Sequence, residues 1–193
     1  MDADPVVQFR QWFEEATAIG IDLPNAMALA TASGTGKPSV RYVLLKDYND
    51  TGFVFYTHSV SEKGKQLAEN PNAAVLFYWS PMDRQIRIEG QVEQVSQEEA
   101  DEYFASRPYG SRVSVWAAPQ SSIIRDRDYL ESRVRDLEQQ YADGEVPRPE
   151  TWIGYRLRPE LFEFWQGREN RLHDRIVYIR GERGDWIIRR LAP

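Results

Sequence analysis

Short turns between β-type segments constrain the fold of this chain most. "AMALATAS", "SVRYVLLKDY", "TGFVFYTH", "NAAVLFYWS" and "RQIRIEGQVEQVS" read as strands in the first half, and "IGYRLRPELFEFW", "DRIVYIR" and "DWIIRRL" close the chain. Turn sequences such as "GTGKP" and "GERGD" join neighbouring segments. Strands joined by so few residues pair antiparallel, because a parallel pair needs a long crossover. The pattern therefore predicts a small antiparallel β-barrel.

Helical segments are few and lie between the strands. Apolar residues at helical spacing after Pro5 predict an amphipathic helix, and Ser61 reads as the N-cap of a short helix. Further helices are predicted for "QEEADEYFASR" and from about Ser121 to Tyr141. Because no linker or repeat interrupts residues 1–193, we expect one domain of the α+β class, an antiparallel barrel with packed helices.

Composition narrows the class of protein. A net charge of −6 argues against a general nucleic-acid or anionic-membrane surface. The chain has no cysteine, and its two histidines, His58 and His173, are far apart in sequence, so we expect no metal site and assign His58 no function. The sequence shows no signal segment and no membrane-length apolar run, which predicts a soluble, cytoplasmic protein.

Basic side chains recur beside the ends of predicted strands. Arg41 and Lys46 flank the apolar "YVLL", and residues five apart reach one site only if the strand bends or the site lies at its end. Alternatively, they are the charges of a solvated edge strand. Lys63 follows the helix start at Ser61, where free backbone N–H groups suit a phosphate, although N-capping alone also explains Ser61.

"YFASRPYGS" contains a further group of donors. Tyr103, Arg107 and Ser111 recur at spacings of four and offer a phenol, a guanidinium and a hydroxyl to a phosphate. The alternative is a helix C-terminus at which Arg107 interacts with the helix dipole.

The C-terminal stretch "RLHDR" alternates two arginines with a histidine. In an extended strand, Arg171, His173 and Arg175 would point to the same side. Such a face predicts a bound anion, because the cationic groups otherwise repel each other.

Sequence motifs for common catalytic sites are missing. No nucleophile elbow, zinc-protease, Walker or dinucleotide motif occurs. A triad around His173 and a pair of catalytic carboxylates stay open, but nothing singles out their members. Donors in four places instead predict binding of small phosphorylated ligands, with one phosphate on a cofactor and one on a substrate.

The segments that carry these donors resemble a known family. "FEFWQGRENRLHDR" and the terminal "RRLAP" are similar to the signature of the pyridoxamine 5′-phosphate oxidases. The resemblance continues through "VPRPETWIGY", "PQSSIIRDR", "YFASRP", "RQIRIEGQVE", "FVFYTHSVSEKGKQLAENPNAAVLFYW" and "VRYVLLK", and covers nearly the whole chain from about Asp4. It implies a split β-barrel homodimer with FMN at the subunit interface. The implied reaction oxidises pyridoxamine or pyridoxine 5′-phosphate to pyridoxal 5′-phosphate by hydride transfer to flavin, with O2 reduced to H2O2.

The resemblance also implies the roles of individual residues. Arg171 and His173 would be catalytic and would contact the substrate beside the flavin. The substrate phosphate would be held by Lys46, Tyr103, Arg107 and Ser111. FMN would be bound by Arg41, Tyr56, Thr57, Lys63, Gln85, Gln120, Ser121, Trp165 and Arg175.

Three features depart from the family pattern. Glu62 occupies a position where many relatives carry an arginine that reaches the FMN phosphate, so either FMN binds more weakly here or Lys63 and Arg41 hold the phosphate alone. Ser114 and Val115 replace a common Gly-Ala pair and Ile153 replaces a common glycine, which predicts local repacking. The chain starts just before its first helix, without the basic segment that closes over the substrate in some relatives, so we expect a different closed state.

Two other functions stay open from the sequence. A phenazine-pathway-type flavin oxidase shares the implied fold and part of the C-terminal motif, although the intact phosphate-binding set disfavours it. A non-catalytic flavin- or pyridoxal-phosphate-binding protein is compatible with the carboxylate of Glu62.

Overall fold

The computed structural model describes residues 1–193 as one antiparallel sheet of nine strands with five α-helices. The strands are β1 (Ala26–Ala32), β2 (Pro38–Leu44), β3 (Asp47–Asn49), β4 (Gly52–His58), β5 (Asn72–Trp79), β6 (Arg84–Gln94), β7 (Trp152–Gln166), β8 (Asp174–Arg180) and β9 (Trp186–Leu191). The helices are α1 (Pro5–Ala18), α2 (Glu62–Glu69), α3 (Gln97–Ser106), α4 (Tyr109–Ala117) and α5 (Arg127–Gln140). None of these helices has the length and apolar character that a bilayer crossing requires.

The sheet follows the order β2-β1-β5-β6-β7-β4-β3, with β8 on β7 and β9 on β8. Every pairing is antiparallel, which confirms the predicted α+β split barrel. One edge of β7 pairs with β6, and its other edge pairs first with β4 and then with β8. A bulge beside Gly90 shifts the β6–β7 register, and a Cβ at Gly90 would collide with the carbonyl oxygen of Arg158. One long strand thus connects two parts of the sheet.

The barrel core is aromatic, and α1 closes it. Asp4 caps this helix by accepting a hydrogen bond from the Val6 amide at 2.7 Å, and Pro5 follows at the first helical position. Phe9 is fully buried, with its ring centroid 4.9 Å from that of Phe53 and 5.2 Å from that of Phe77. The predicted N-terminal helix therefore packs against the main core and shields it from solvent.

A second, smaller core lies among α3, α4, α5 and the start of β7. The predicted helix from Ser121 was wrong at its start, because Ser121 has a left-handed φ of 71° and Asp126 caps α5 by accepting from the Tyr129 amide at 2.8 Å. The sequence did not predict α4, in which Gly110 has a low intrinsic helix propensity. Burial of one face of α4 in the smaller core outweighs that local preference.

The predicted strand face at "RLHDR" was also wrong. Asn170 and Arg171 have left-handed φ values of 55° and 61°, and β8 begins only at Asp174. The Arg168 amide donates to Nδ1 of His173 at 3.1 Å, which stabilises a tight turn in place of an extended strand. Of the three alternating residues, only Arg175 lies on a strand.

Candidate active site

A cavity of about 720 Å³ lies between the end of β4, the start of α2 and the α3–α4 junction, a size typical of small-molecule sites. Three cationic side chains and no carboxylate are among its lining residues. The lining includes Lys46, Tyr56, Thr57, His58, Lys63, Tyr103, Arg107, Ser111, Ser114, Val115, Gln120 and Trp152. In a chain with a net charge of −6, this is a local concentration of positive charge.

The chain bends where Lys46 enters the cavity. The predicted strand "SVRYVLLKDY" is broken after Leu44, and the Lys46 amide donates to the Val54 carbonyl at 2.8 Å. Arg41 does not line the cavity, because its guanidinium donates to the Leu29 carbonyl at 3.2 Å and to Thr31 Oγ1 at 2.6 Å. The bend therefore brings one of the two flanking cations to this site.

Lys63 occupies a buried polar corner of the cavity. Its Nζ donates to Thr57 Oγ1 at 3.2 Å and to Gln120 Oε1 at 3.1 Å, and Thr57 donates to the same Gln120 oxygen at 2.7 Å. Burial, with a further contribution from Arg41, lowers the pKa of Lys63. No carboxylate lies within ion-pair distance of Lys63, so its charge is hydrogen-bonded but not neutralised.

Arg107 is the second cation without a counter-ion. Its guanidinium carbon lies 4.9 Å from the Trp152 ring centroid and 5.9 Å from that of Phe104. The Nη1 atom is buried and has no hydrogen-bond partner, and burial lowers the pKa of Arg107. A buried donor left unpaired costs about 1–3 kcal/mol, which an anionic ligand in the cavity would offset. The donor set thus suits a phosphate.

An aromatic wall stands beside these cations. The rings of Tyr56 and Tyr103 stack with centroids 4.2 Å apart at 17°, and Tyr56 also stacks on Trp152 at 4.9 Å and 11°. Burial, chiefly, raises the pKa of Tyr56 to about 12, so its phenol keeps its proton at neutral pH. Together with Ser111, the two phenols supply neutral hydrogen-bonding groups to the cavity.

Other predicted residues form a separate row on the sheet. Gln85 of β6 pairs with Trp165 of β7, which pairs in turn with Arg175 of β8. The Trp165 ring centroid lies 4.6 Å from that of His173, and Arg171 is exposed on the preceding turn. None of these five residues lines the cavity of the same chain. Most of the predicted site residues therefore fall into two groups. The predicted residues that line the cavity are called the cavity group, and these five residues are called the row group.

Glu62 and Ser121 lie at the start of α2, outside the cavity lining. Ser121 Oγ accepts a hydrogen bond from the Glu62 amide at 3.2 Å, while the Glu62 carboxylate accepts from Gln66 Nε2 at 3.2 Å. Burial lowers the pKa of Arg41, and the charge of Glu62 opposes that effect. Glu62 is therefore an exposed anion close to Arg41, a predicted cofactor ligand.

Three residues at these positions were not predicted from the sequence. His58 and Trp152 line the cavity, and Glu163 is a buried carboxylate next to the row group. His58 Nδ1 lies 3.3 Å from Thr151 Oγ1, and burial, followed by Lys63 and Arg107, lowers the pKa of His58. The alternation of "ELFEFW" offered a signal for Glu163, since it sets this carboxylate on the face opposite the phenylalanines.

Two of the three unusual substitutions bear on the cavity. Ser114 and Val115 line it, whereas Ile153 packs against the main barrel core. The predicted repacking at residues 114–115 therefore concerns the pocket itself.

Family comparisons agree with this geometry. Residues 13–141 match the family profile described as pyridoxamine 5′-phosphate oxidase. Residues 152–193 match the pyridoxine 5′-phosphate oxidase C-terminal dimerisation region, which indicates a homodimer.

Named relatives and solved structures extend the match to the whole chain. The pyridoxine/pyridoxamine 5′-phosphate oxidases of Microcystis aeruginosa and Bordetella petrii are 54% and 53% identical over 99% of this chain, and the matches cover 89% and 90% of those proteins. PhzG from Burkholderia lata, crystallised with tetrahydrophenazine-1-carboxylic acid, is 34% identical with a TM-score of 0.93 over 100% of this chain and 94% of its own. A pyridoxamine 5′-phosphate oxidase-related, FMN-binding protein from Nostoc punctiforme shares the fold at 17% identity, with a TM-score of 0.78 over both full chains. This chain therefore belongs to the pyridoxamine 5′-phosphate oxidase family of oxidoreductases.

Proposed function

We propose that this chain, as a single FMN-binding domain of residues 1–193, oxidises pyridoxamine 5′-phosphate and pyridoxine 5′-phosphate to pyridoxal 5′-phosphate. The observation that carries the proposal is the carboxylate-free cavity, in which Lys46, Lys63 and Arg107 have no ion-pair partner. Bound FMN supplies the redox chemistry by accepting two electrons from the substrate and passing them to O2. For the amine, substrate, O2 and water become the aldehyde, ammonia and H2O2.

The substrate phosphate is assigned to one side of the cavity. Arg107 offers a buried, unpaired guanidinium nitrogen, and a guanidinium matches phosphate geometry better than an ammonium does. Lys46, Tyr103 and Ser111 line the same cavity and add one charge and two hydroxyls. These groups hold the substrate by its non-reacting end, so that binding energy orients the carbon that is oxidised.

FMN is assigned to the other side. Lys63, Thr57 and Gln120 form a hydrogen-bonded cluster that lacks an anion, and Tyr56 adds a stacked ring. Arg41 and Ser121 lie next to this cluster, around the start of α2, where backbone N–H groups favour a phosphate. The cluster and its neighbours fit the nucleotide phosphate by charge and by donor count.

The remaining assigned residues require a second subunit. Gln85, Trp165 and Arg175 lie in a row away from the cavity of their own chain, and Arg171 and His173 lie beside that row. We assign the partner subunit's Arg171 and the partner's His173 to each cavity, with the flavin ring between the subunits. Arg171 would then lie beside the reacting groups and stabilise the negative charge that hydride transfer delivers to the cofactor.

The phenazine-type oxidase is the second candidate, because PhzG matches this chain over its whole length. A carboxylated tricyclic substrate carries no phosphate, whereas the cavity here presents three cations together with several hydroxyl groups, among them those of Tyr103 and Ser111. The donor set therefore favours the phosphorylated substrate.

Anaerobic titration of the FMN-loaded protein tests the proposal. We expect pyridoxamine and pyridoxine 5′-phosphates to bleach the flavin, and air to restore the yellow colour with release of H2O2. Unphosphorylated pyridoxine is the matched control and should bleach it far more slowly. Bleaching by a dihydrophenazine carboxylic acid alone would support the second candidate, and a flavin that no substrate reduces would indicate a binding protein without turnover.

A further inference from the structure

Glu163 is a buried carboxylate on the face of β7 that points away from the barrel core. Phe162 and Phe164, its neighbours in sequence, belong to that core, so strand alternation places Glu163 on the opposite face. Only 3% of the residue is exposed. A buried carboxylate is costly unless both oxygens are paired.

Each oxygen of Glu163 accepts from a different arginine. Oε1 lies 2.6 Å from Nε of Arg175, and Oε2 lies 2.6 Å from Nη2 of Arg87. Burial acts to raise the pKa of Glu163, but the two arginines outweigh it and hold the pKa below the ordinary glutamate range. The carboxylate is therefore ionised at neutral pH.

Glu163 is the only carboxylate that Arg175 contacts. Arg87 has a second ion-pair partner, Glu89, whereas Arg175 has no other. The Nη1 atom of Arg175 donates to the Ala192 carbonyl at 3.1 Å, and its Nη2 makes no hydrogen bond within the chain. Two bonds thus fix the plane of this guanidinium and leave its Nη2 group free.

The free Nη2 group is on a residue of the row assigned to the cofactor. Arg175 pairs directly with Trp165, which pairs with Gln85, and Glu163 lies one same-face position along β7 from Trp165. A ligand-binding arginine is effective only if its orientation is fixed before the ligand arrives. Glu163 provides that constraint without being a member of the row.

We propose that Glu163 is a positioning residue for FMN, which acts by orienting Arg175. This role rests on the proposed function, because that function assigns Arg175 to the cofactor. Without the carboxylate, the guanidinium loses one of its two fixed bonds, and Arg87 and Arg175 face each other across an uncharged residue.

The first test compares FMN affinity in two near-isosteric variants. Glu163→Gln should weaken FMN binding about tenfold, measured by quenching of flavin fluorescence on titration into the apoprotein. Glu89→Gln is the matched control, since it also removes a carboxylate from Arg87 but leaves Arg175 untouched, and it should change the affinity less than about twofold. Equal affinity of Glu163→Gln and wild type would overturn the proposal, even if the melting temperature falls.

The second test asks whether the effect passes through Arg175. In an Arg175→Met background, Glu163→Gln should change FMN affinity less than about twofold, because the group it positions is gone. The bound-flavin absorption spectrum of Glu163→Gln should also shift toward that of Arg175→Met. A tenfold loss in both backgrounds would overturn the positioning role.

Two further outcomes separate this proposal from the proposed function. If Glu163→Gln does not fold, Arg175→Lys replaces it, because lysine keeps the charge but has all its donors on one nitrogen and lacks the rigid planar fork that Glu163 orients. Wild-type affinity in Arg175→Lys would overturn the positioning role alone. Wild-type protein that binds no FMN would overturn both proposals at once.

Discussion

The guanidinium of Arg107 rests on the ring of Trp152, 4.9 Å from its centroid, while the Nη1 atom of the same group has no hydrogen-bond partner. This arrangement has a testable consequence for both binding and stability. Arg107→Met should raise KM for pyridoxine 5′-phosphate at least tenfold, since hydrogen bonds to charged groups contribute about 1.5–3 kcal/mol. The melting temperature of the apoprotein should stay constant or rise, because an unpaired buried donor is removed.

Arg112→Met is the control for this variant. Arg112 also has a buried nitrogen without a partner, but it does not line the cavity. Its substitution should leave KM within about twofold of wild type. An unchanged KM in Arg107→Met would contradict the assignment of the substrate phosphate.

Glu62 is expected to limit the affinity for FMN. Its carboxylate lies close enough to Arg41 to affect the pKa of that residue, at the helix start assigned to the cofactor phosphate. Glu62→Arg should tighten FMN binding about two- to fivefold, the range for a single charge at a helix terminus. Glu69→Arg, at the other end of α2, makes the same charge change and should have no such effect. A fluorescence titration that shows no gain for Glu62→Arg would refute this prediction.

Arg171 should affect turnover more than cofactor binding. It is exposed on a tight turn beside His173, makes no ion pair in the chain, and is assigned to the substrate. Arg171→Ala should lower kcat at least about hundredfold while FMN affinity changes less than about threefold. Arg168→Ala removes an arginine from the same turn that is paired with Asp174, and should retain most activity. Parallel losses of kcat and FMN affinity would argue against the catalytic assignment.

Glu163 should make the stability of the fold sensitive to acid. Because its folded pKa is lowered, its stabilising contribution is present above the ordinary glutamate pKa of about 4.3 and is lost as the pH falls through the lower folded value. Wild type should therefore exceed Glu163→Gln in free energy of unfolding at neutral pH. Urea unfolding should show this difference in free energy of unfolding disappearing below about pH 4. A difference that stays constant into that pH range would show that the charge of Glu163 does not contribute to the stability of the fold.

Mixed dimers should recover activity from two inactive chains. The cavity group and the row group lie on different parts of one chain, and β7 connects them as a single continuous strand. The double variant Lys46→Met/Arg107→Met and the single variant Arg171→Ala should each be nearly inactive alone at substrate concentrations below KM. Refolded together in equal amounts, they should give about one quarter of wild-type activity, because half of the dimers are mixed and each has one intact site. No recovery, with mixed dimers demonstrated by mass, would place both groups in one subunit's site.

Local sequence patterns predicted the strands and the first helix well. Alternation in "RQIRIEGQVE" and the proline and cap at the start of α1 correspond directly to β6 and to the helix after Asp4. Local patterns gave wrong predictions where tertiary contacts determine the backbone conformation. The turn at Asn170 and Arg171 is stabilised by a hydrogen bond to His173, and an alternating pattern of charges cannot reveal such a bond.

The candidate site was predictable as a set of residue types but not as an arrangement. The sequence indicated that Lys63 and Arg107 suit a phosphate, yet it could not show that both lack a carboxylate partner while Arg87 and Arg175 have one. Whether a cation has a carboxylate partner depends on contacts between residues far apart in the chain. For the same reason, Glu163 was missed, although its position between two phenylalanines was visible.

A carboxylate-free cavity does not distinguish one small oxyanion from another by charge alone. By charge, Lys46, Lys63 and Arg107 attract inorganic phosphate and sulfate as well as the phosphorylated ligand proposed above. We therefore expect phosphate and sulfate buffers to compete with that ligand and to raise the KM measured in them. Selection among oxyanions then depends on contacts with the remainder of the ligand.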